Sequence, residues 1–515
     1  MSGDLPRFVV AAPASGHGKT TVATGLMLAL RRSGLRVSGH KVGPDYIDPG
    51  YHALATGRPG RNLDPHLVGE DRVVPLLLHG AADAGGSGGS GGFDGSGRLV
   101  GSGAADVAVI EGVMGLYDGH IGGDGFSSTA HVASLTNSPV ILVVDISHAS
   151  RSIAAVVLGM ATYQPGIRIA GVVLNKAGSE RHSDEVRRAL APLGIPVLGV
   201  LRRDDHVTAP SRHLGLVPAA ERPEAARSLD HLADRVAASL DLDAVMRIAR
   251  SAPPLPGEPW SAESALAGTL RDHHDHGGDA DNEVRPLIAV AGGRAFTFRY
   301  AETVELLEAA GCSVAPFDPL SDDALPEGTA GIYLGGGFPE VHASELSANE
   351  PMRASLAAAI TAGTPTVAEC AGLLYLCRSV DGAPMVGAVP ADAAMAPRLT
   401  LAYRRSTAVA DSVLAAAGTE VTGHEFHRTG VTPAAPNFGA VSPLGRDAAP
   451  AWTSTAGPEG FAGASLHASY LHTHWAGHPA LARRFTDHVH RFAGVVRSSA
   501  GLSSTPSSAT GAAHS

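Results

Sequence analysis

At 515 residues the chain is longer than one hydrophobic core ordinarily serves, so two domains are expected. Hydrophobic residues at 44% and charged residues at 17% describe a globular chain, and a net charge of -11 argues against a nucleic-acid binder, which usually carries a basic face. Cys312, Cys370 and Cys377 are odd in number and not in metal-ligand spacing, as suits free thiols in a reducing cytosol. The N-terminus has no basic-then-apolar signal pattern, and no apolar run is long enough to span a bilayer. A soluble, cytoplasmic protein is expected.

In chain order, "RFVVAAP" from Arg7 predicts a strand and "TTVATGLMLALRRSG" a helix stopped at Gly34. Between them lies "APASGHGKTT". The strict phosphate-loop pattern asks for Gly where Pro13 stands, but its working parts remain. Gly16 and Gly18 let backbone N–H groups approach phosphate at a helix N-terminus, and Lys19 reaches the outer phosphates. Ser15, Gly16, Gly18, Lys19, Thr20 and Thr21 are the candidate nucleotide contacts, with ATP and Mg²⁺ expected and the Thr20 hydroxyl as a metal ligand. The next strand runs into "KVGPDYIDPGYH", Lys41 to His52, where two prolines stiffen a segment holding Asp45, Tyr46 and Asp48. A Gly/Ser-rich insertion follows at about 82–104. "VAVIEGVMGLYDG" then ends a strand at Glu111, a second candidate metal ligand, with Asp118 in the loop beyond it. Asn175, at the end of "IRIAGVVLNK", is a candidate to read the adenine edge.

The Pro-, Gly- and charge-rich stretch 251–284 is expected as a linker between a domain at 1–250 and one at 285–495, with a frayed tail from 496. Its "DHHDHGGD" run reads as solvated linker, not as a metal site. The second half restarts the α/β pattern at "LIAVAGG". Both halves are therefore predicted to be doubly wound, mostly parallel α/β domains. In "TPTVAECAGLLYLC" a strand ends at Cys370 and a helix begins at once, which exposes a nucleophile and turns the next N–H groups toward an oxyanion. The helix N-terminus is expected to lower the thiol pKa. His424, His427, His467, His472 and His474 are candidate bases, and spacing does not choose among them. Gly335 to Gly337 offer a further oxyanion N–H.

Taken together, "KVGPDYIDPGYH", "GRPGRNLD", "EGVMGLYDG", "YLGGGFPE", "AECAGLLYL", "GHEFHRT" and "SYLHTH" resemble the cobyrinic/hydrogenobyrinic acid a,c-diamide synthases of cobalamin biosynthesis. The likeness covers about residues 7–490. It implies a dethiobiotin-synthetase-like ATP domain followed by a class I glutamine amidotransferase domain. It further implies a glutamine-hydrolysing ligase acting on a corrinoid acid, L-glutamine and ATP, with no nucleic-acid or membrane partner; a homodimer is allowed for. In that family reading Cys370 attacks glutamine with His472 as base, while Asp45, Asp48, Tyr46 and Asp118 work near phosphate and substrate. Position 474, where triad amidotransferases carry Glu, holds His, so the third triad member is missing or altered. Cobyric acid synthases and nickel-sirohydrochlorin a,c-diamide synthases are similar at motif level. A ParA/MinD-like regulatory ATPase would lack the cysteine elbow and the second α/β half. A second half reduced to a scaffold would have no glutaminase activity.

Overall fold

The computed structural model describes residues 4–82, 103–203, 211–212, 215–216, 225–269, 285–436 and 448–502. The centre of the Gly/Ser insertion and the histidine run at 272–279 lie outside them. In the first half, β1 (Arg7–Ala11), β2 (Val37–Val42), β3 (Arg61–Leu63), β4 (Val107–Glu111), β5 (Val140–Asp145), β6 (Ile169–Ala177) and β7 (Val197–Arg202) form one seven-stranded sheet. All its pairings are parallel, in the order β3-β2-β4-β1-β5-β6-β7. β1 and β4 are buried along their whole length. Successive side chains face opposite sides of a sheet, so both faces are covered, and this is why these strands read as unbroken apolar runs. β1 pairs with β4 so that Val10 stands opposite Glu111, which sets the phosphate loop and that carboxylate side by side.

The second half has a six-stranded sheet built from β8 (Leu287–Ala291), β9 (Ser313–Phe317), β10 (Thr329–Leu334), β11 (Thr366–Glu369), β14 (Phe461–Ala462) and β15 (Leu466–Ser469), in the order β9-β8-β10-β11-β15-β14. Only β14 runs antiparallel. The doubly wound expectation does not foresee a long antiparallel hairpin, β12 (Asp392–Ala408) with β13 (Glu420–Thr432), to which β16 (His472–Thr473) is added. Much of β12 is exposed, so it carries no apolar run to reveal it.

Part of the stretch expected as linker is folded: Ala262–Ala267 is helical, and Leu255, Trp260 and Leu266 are buried. The closing helix, Pro479–Leu502, runs past Val496, where the tail was expected to start. Its buried Ala482, Phe485, Val489 and Ala493 recur every three or four residues and fasten it to the core. One hydrophobic cluster runs through both halves, from Phe8 and Val10 to Tyr333 and Trp475.

Candidate functional site

The strand-to-helix turn after β1 is shaped by Gly16 at φ +82 and Gly18 at φ +89, backbone conformations that glycine adopts without strain. A Cβ on Gly18 would stand 2.3 Å from Asn175 Nδ2, so only glycine fits there. Ala14, Ser15 and Gly16 form the exposed lip of the turn, with Thr20 and Thr21 half-buried behind it. The helix starts at Lys19, which is buried and donates to the carbonyls of Met114 and Ala14. Burial, then Lys41, lowers the Lys19 ammonium to about 8. Asn175 engages the loop itself: Nδ2 donates to His17 O at 2.8 Å, and Oδ1 accepts from Lys176 N. Lys176 Nζ donates to Gly16 O at 2.7 Å and pairs with Asp145, also at 2.7 Å.

Beside this turn a buried charge cluster assembles. Thr20 Oγ1 donates to Glu111 Oε1 at 2.6 Å and lies 3.2 Å from Asp48 Oδ2. Lys41 Nζ stands between the two acids, 2.6 Å from Asp48 and 2.9 Å from Glu111, and His52 Nε2 lies 2.6 Å from the other Glu111 oxygen. Burial pushes Glu111 up, but Lys41 and His52 outweigh it and hold the carboxyl well below its usual range. Burial, then Asp45 and Glu111, pushes Asp48 up. Asp45 has another position: its Oδ1 accepts from Ile47 N and Asp48 N, and its Oδ2 is 3.9 Å from Lys41. Asp118 Oδ2 accepts from Gly115 N at 2.9 Å, closing the loop after β4. Two carboxylates and a hydroxyl meeting at one point are hard oxygen donors. They suit a cation such as Mg²⁺, which takes few protein ligands and completes its shell with phosphate and water.

In the second half, β11 ends in the expected elbow. Cys370 has φ +47, outside the regions L-residues favour, and its N–H donates to Ser469 O at 2.7 Å. The expected lowering of its thiol pKa is corrected by the structure. Burial, then Glu340 and Glu369, pushes the thiol up, against a smaller effect of the Ala371 N–H. Some expected oxyanion donors are already engaged: Gly336 N donates to Phe298 O and Gly372 N to Gly335 O. The five histidines separate by surroundings. His467 Nδ1 is 3.0 Å from Ser412 Oγ, and His427 lies on Tyr470 with Nδ1 at Thr429 O. His474 stacks on Tyr300 with centroids 4.0 Å apart. His472 and His424 face each other across the β16–β13 pairing, 4.9 Å apart.

Tyr46 joins the two sites. Its ring leaves the charge cluster and packs on Phe298, Phe426 and Phe338 of the other half, 4.8, 5.3 and 5.7 Å away, and stacks toward His472 at 6.4 Å. Lys41, His52 and Glu369 are not among the candidates that the sequence singles out. Lys41 and His52 flank the acidic stretch, and Glu369 ends a strand as Glu111 does, so the same strand-end argument reaches it.

Comparison with known proteins finds two family models along the chain. Residues 8–217 match the model of a CobQ/CobB/MinD/ParA nucleotide-binding domain, and residues 287–480 that of a CobB/CobQ-like glutamine amidotransferase domain. The chain is similar to the hydrogenobyrinate a,c-diamide synthase of Thermobifida fusca, 57% identical over 94% of this chain and 98% of the relative. It is 52% identical to the protein of that name from Streptomyces coelicolor, over 94% and 97%. The cobyrinate a,c-diamide synthase of a Synechococcus strain is 40% identical over 93% and 97%.

Proposed function

This chain belongs to the hydrogenobyrinate and cobyrinate a,c-diamide synthase family, and from that premise we propose that it amidates the a and c carboxylates of hydrogenobyrinic acid with ATP and glutamine. The observation carrying the proposal is that one short segment reaches both sites. Asp48 enters the Thr20–Glu111 cluster, and Tyr46, two residues earlier, lies in the aromatic group around His472. The cobalt-free substrate is preferred because the relatives at 57% and 52% identity carry that name.

Cys370 Sγ forms a bond to the glutamine amide carbon as its proton passes to His472 Nε2. Collapse of the tetrahedral adduct sends that proton out with ammonia and leaves a thioester, which water hydrolyses to glutamate and free thiol. A corrin carboxylate takes the γ-phosphoryl group of ATP and releases ADP, because an oxide leaving group cannot depart and phosphate can. Ammonia then displaces phosphate to give the amide. Lys19 and the N–H groups of the Gly16–Gly18 turn neutralise the phosphates. Thr20, Asp48 and Glu111 would hold Mg²⁺, which withdraws charge from the β- and γ-phosphates when bound. The buried junction around Tyr46 excludes water from the acyl phosphate. The proposal includes a cytoplasmic location, consistent with three free cysteines.

Mass spectrometry after incubation with ATP, Mg²⁺, glutamine and either hydrogenobyrinic or cobyrinic acid tests this. Two acid-to-amide exchanges, faster on the cobalt-free acid, are expected. No exchange on either acid would refute the assignment.

A further inference from the structure

Triad amidotransferases hold their base histidine with an acid, and the position where that acid is expected carries His474. The His474 polar edge faces elsewhere: Nε2 is 3.7 Å from Glu302 Oε2, beside the ion pair that joins the two halves. A different carboxylate stands next to the base. Glu369, the residue before Cys370, brings Oε2 to 4.0 Å from His472 Nδ1, and the two side chains are 5% and 1% exposed. Among the described residues His472 Nδ1 has no hydrogen-bond partner. Glu369 is held at both oxygens: Tyr333 OH donates to Oε2 at 2.9 Å, and Thr473 Oγ1 donates to Oε1 at 3.0 Å. Trp475 Nε1 in turn donates to Thr473 Oγ1 at 3.1 Å.

We propose that Glu369 is the positioning acid of this glutaminase, holding His472 with Nδ1–H toward its carboxylate so that Nε2 is free to take the Cys370 proton. The inference rests on the reading of Cys370 as the glutaminase nucleophile. Three donors aimed at one buried carboxyl, Tyr333 OH, Thr473 Oγ1 and, at 3.4 Å, Thr473 N, favour its ionised form against burial, and a positive imidazole beside it favours that form further. When Nε2 takes the thiol proton, the imidazolium forms 4.0 Å from that carboxylate. Closing that gap by about 1 Å turns an ion pair into a hydrogen bond, a tightening common when substrate fills such sites. Burial holds His472 down at about 3 and Glu369 up at about 7. The resting site therefore keeps a neutral imidazole, the form that accepts a proton, beside a carboxyl ready to ionise.

The wild-type protein is first assayed for corrinoid amidation with glutamine and with ammonium chloride, which tests the function separately. Glu369→Gln, neutral and of the same shape, is then assayed with both nitrogen sources. The rate of Cys370 alkylation by iodoacetamide is followed across roughly pH 6 to 9. Glutamine-driven kcat is expected to fall about 10- to 100-fold with KM changed by less than about twofold. The ammonia-driven rate should stay within about twofold, and alkylation near neutral pH should slow. Glu369→Asp, which keeps the charge, should recover part of the glutamine-driven rate. A through-space effect of the Glu369 charge on the thiol would do the opposite, since that charge pushes the thiol up and its removal would speed alkylation. Faster alkylation, an unchanged glutamine-driven kcat, or an equal loss with both nitrogen sources would each overturn the proposal.

Discussion

Lys19 lies against two backbone carbonyls, and burial has brought its ammonium to about 8, so its charge is available to phosphate but easily lost. Lys19→Ala should abolish amide formation yet leave slow glutaminase turnover, because Cys370 and His472 belong to the other half. Loss of Cys370 alkylation in the same variant would contradict that separation. The lowered value also sets a pH dependence. Lys19 is charged below about 8 and neutral above it, so kcat/KM for ATP, which reports the free enzyme, should decline as pH rises through that value. Lys19→Arg, which stays charged, should lose that descending limb.

The Lys41–His52 stretch works as an element because its helix, Asp48–Thr56, is seated on a glycine. A Cβ on Gly60 would stand 2.2 Å from Pro49 O, a backbone atom that cannot step aside. Gly60→Ala should therefore shift the start of that helix and carry Asp48 away from Thr20. The expected cost is about 1–3 kcal/mol of stability with a clear drop in ATP-dependent amidation, read by thermal melting and product assay. The stiffness visible in the two prolines is thus only half of the device; the other half is the close seat that Gly60 provides. Cys370 shows the same division. Strand-then-helix spacing placed the elbow correctly, but the direction of the thiol pKa depended on burial and on Glu340, which no local pattern announces.

At the scale of the molecule, the two halves meet through buried charge as well as apolar surface. Arg61 Nη1 donates to Glu302 Oε1 and Nη2 to Glu305 Oε1, each at 2.6 Å, and His79 lies 2.8 Å from Glu305. Removing Arg61 leaves Glu302 buried without its cation, so Arg61→Ala should destabilise by about 3–5 kcal/mol and loosen the joint. A melting temperature close to wild type would count against this joint as a main support. Burial pushes the Glu305 carboxyl up, but His79 and Arg61 outweigh it and hold it at about 2. Because the folded value is depressed, this group stabilises the protein above the unfolded carboxylate value of about 4.3, and the contribution is lost as pH falls toward about 2. Melting across that range should show a steeper decline for wild type than for Glu305→Gln.

The sequence by itself determined the two α/β halves, the phosphate turn, the strand-end Glu111 and the cysteine elbow. Each is written within a few neighbouring residues, as apolar runs, glycines and a nucleophile between strand and helix. It also determined that the acidic Pro-bounded stretch mattered, without saying to what. Only the tertiary structure decided that Asp48 joins Thr20 while Asp45 caps the next turn, that Tyr46 crosses to His472, and that Glu369 stands where His474 does not. Those are contacts between residues far apart in the chain, set by how sheets and halves pack, and a linear pattern carries no distance across such a gap.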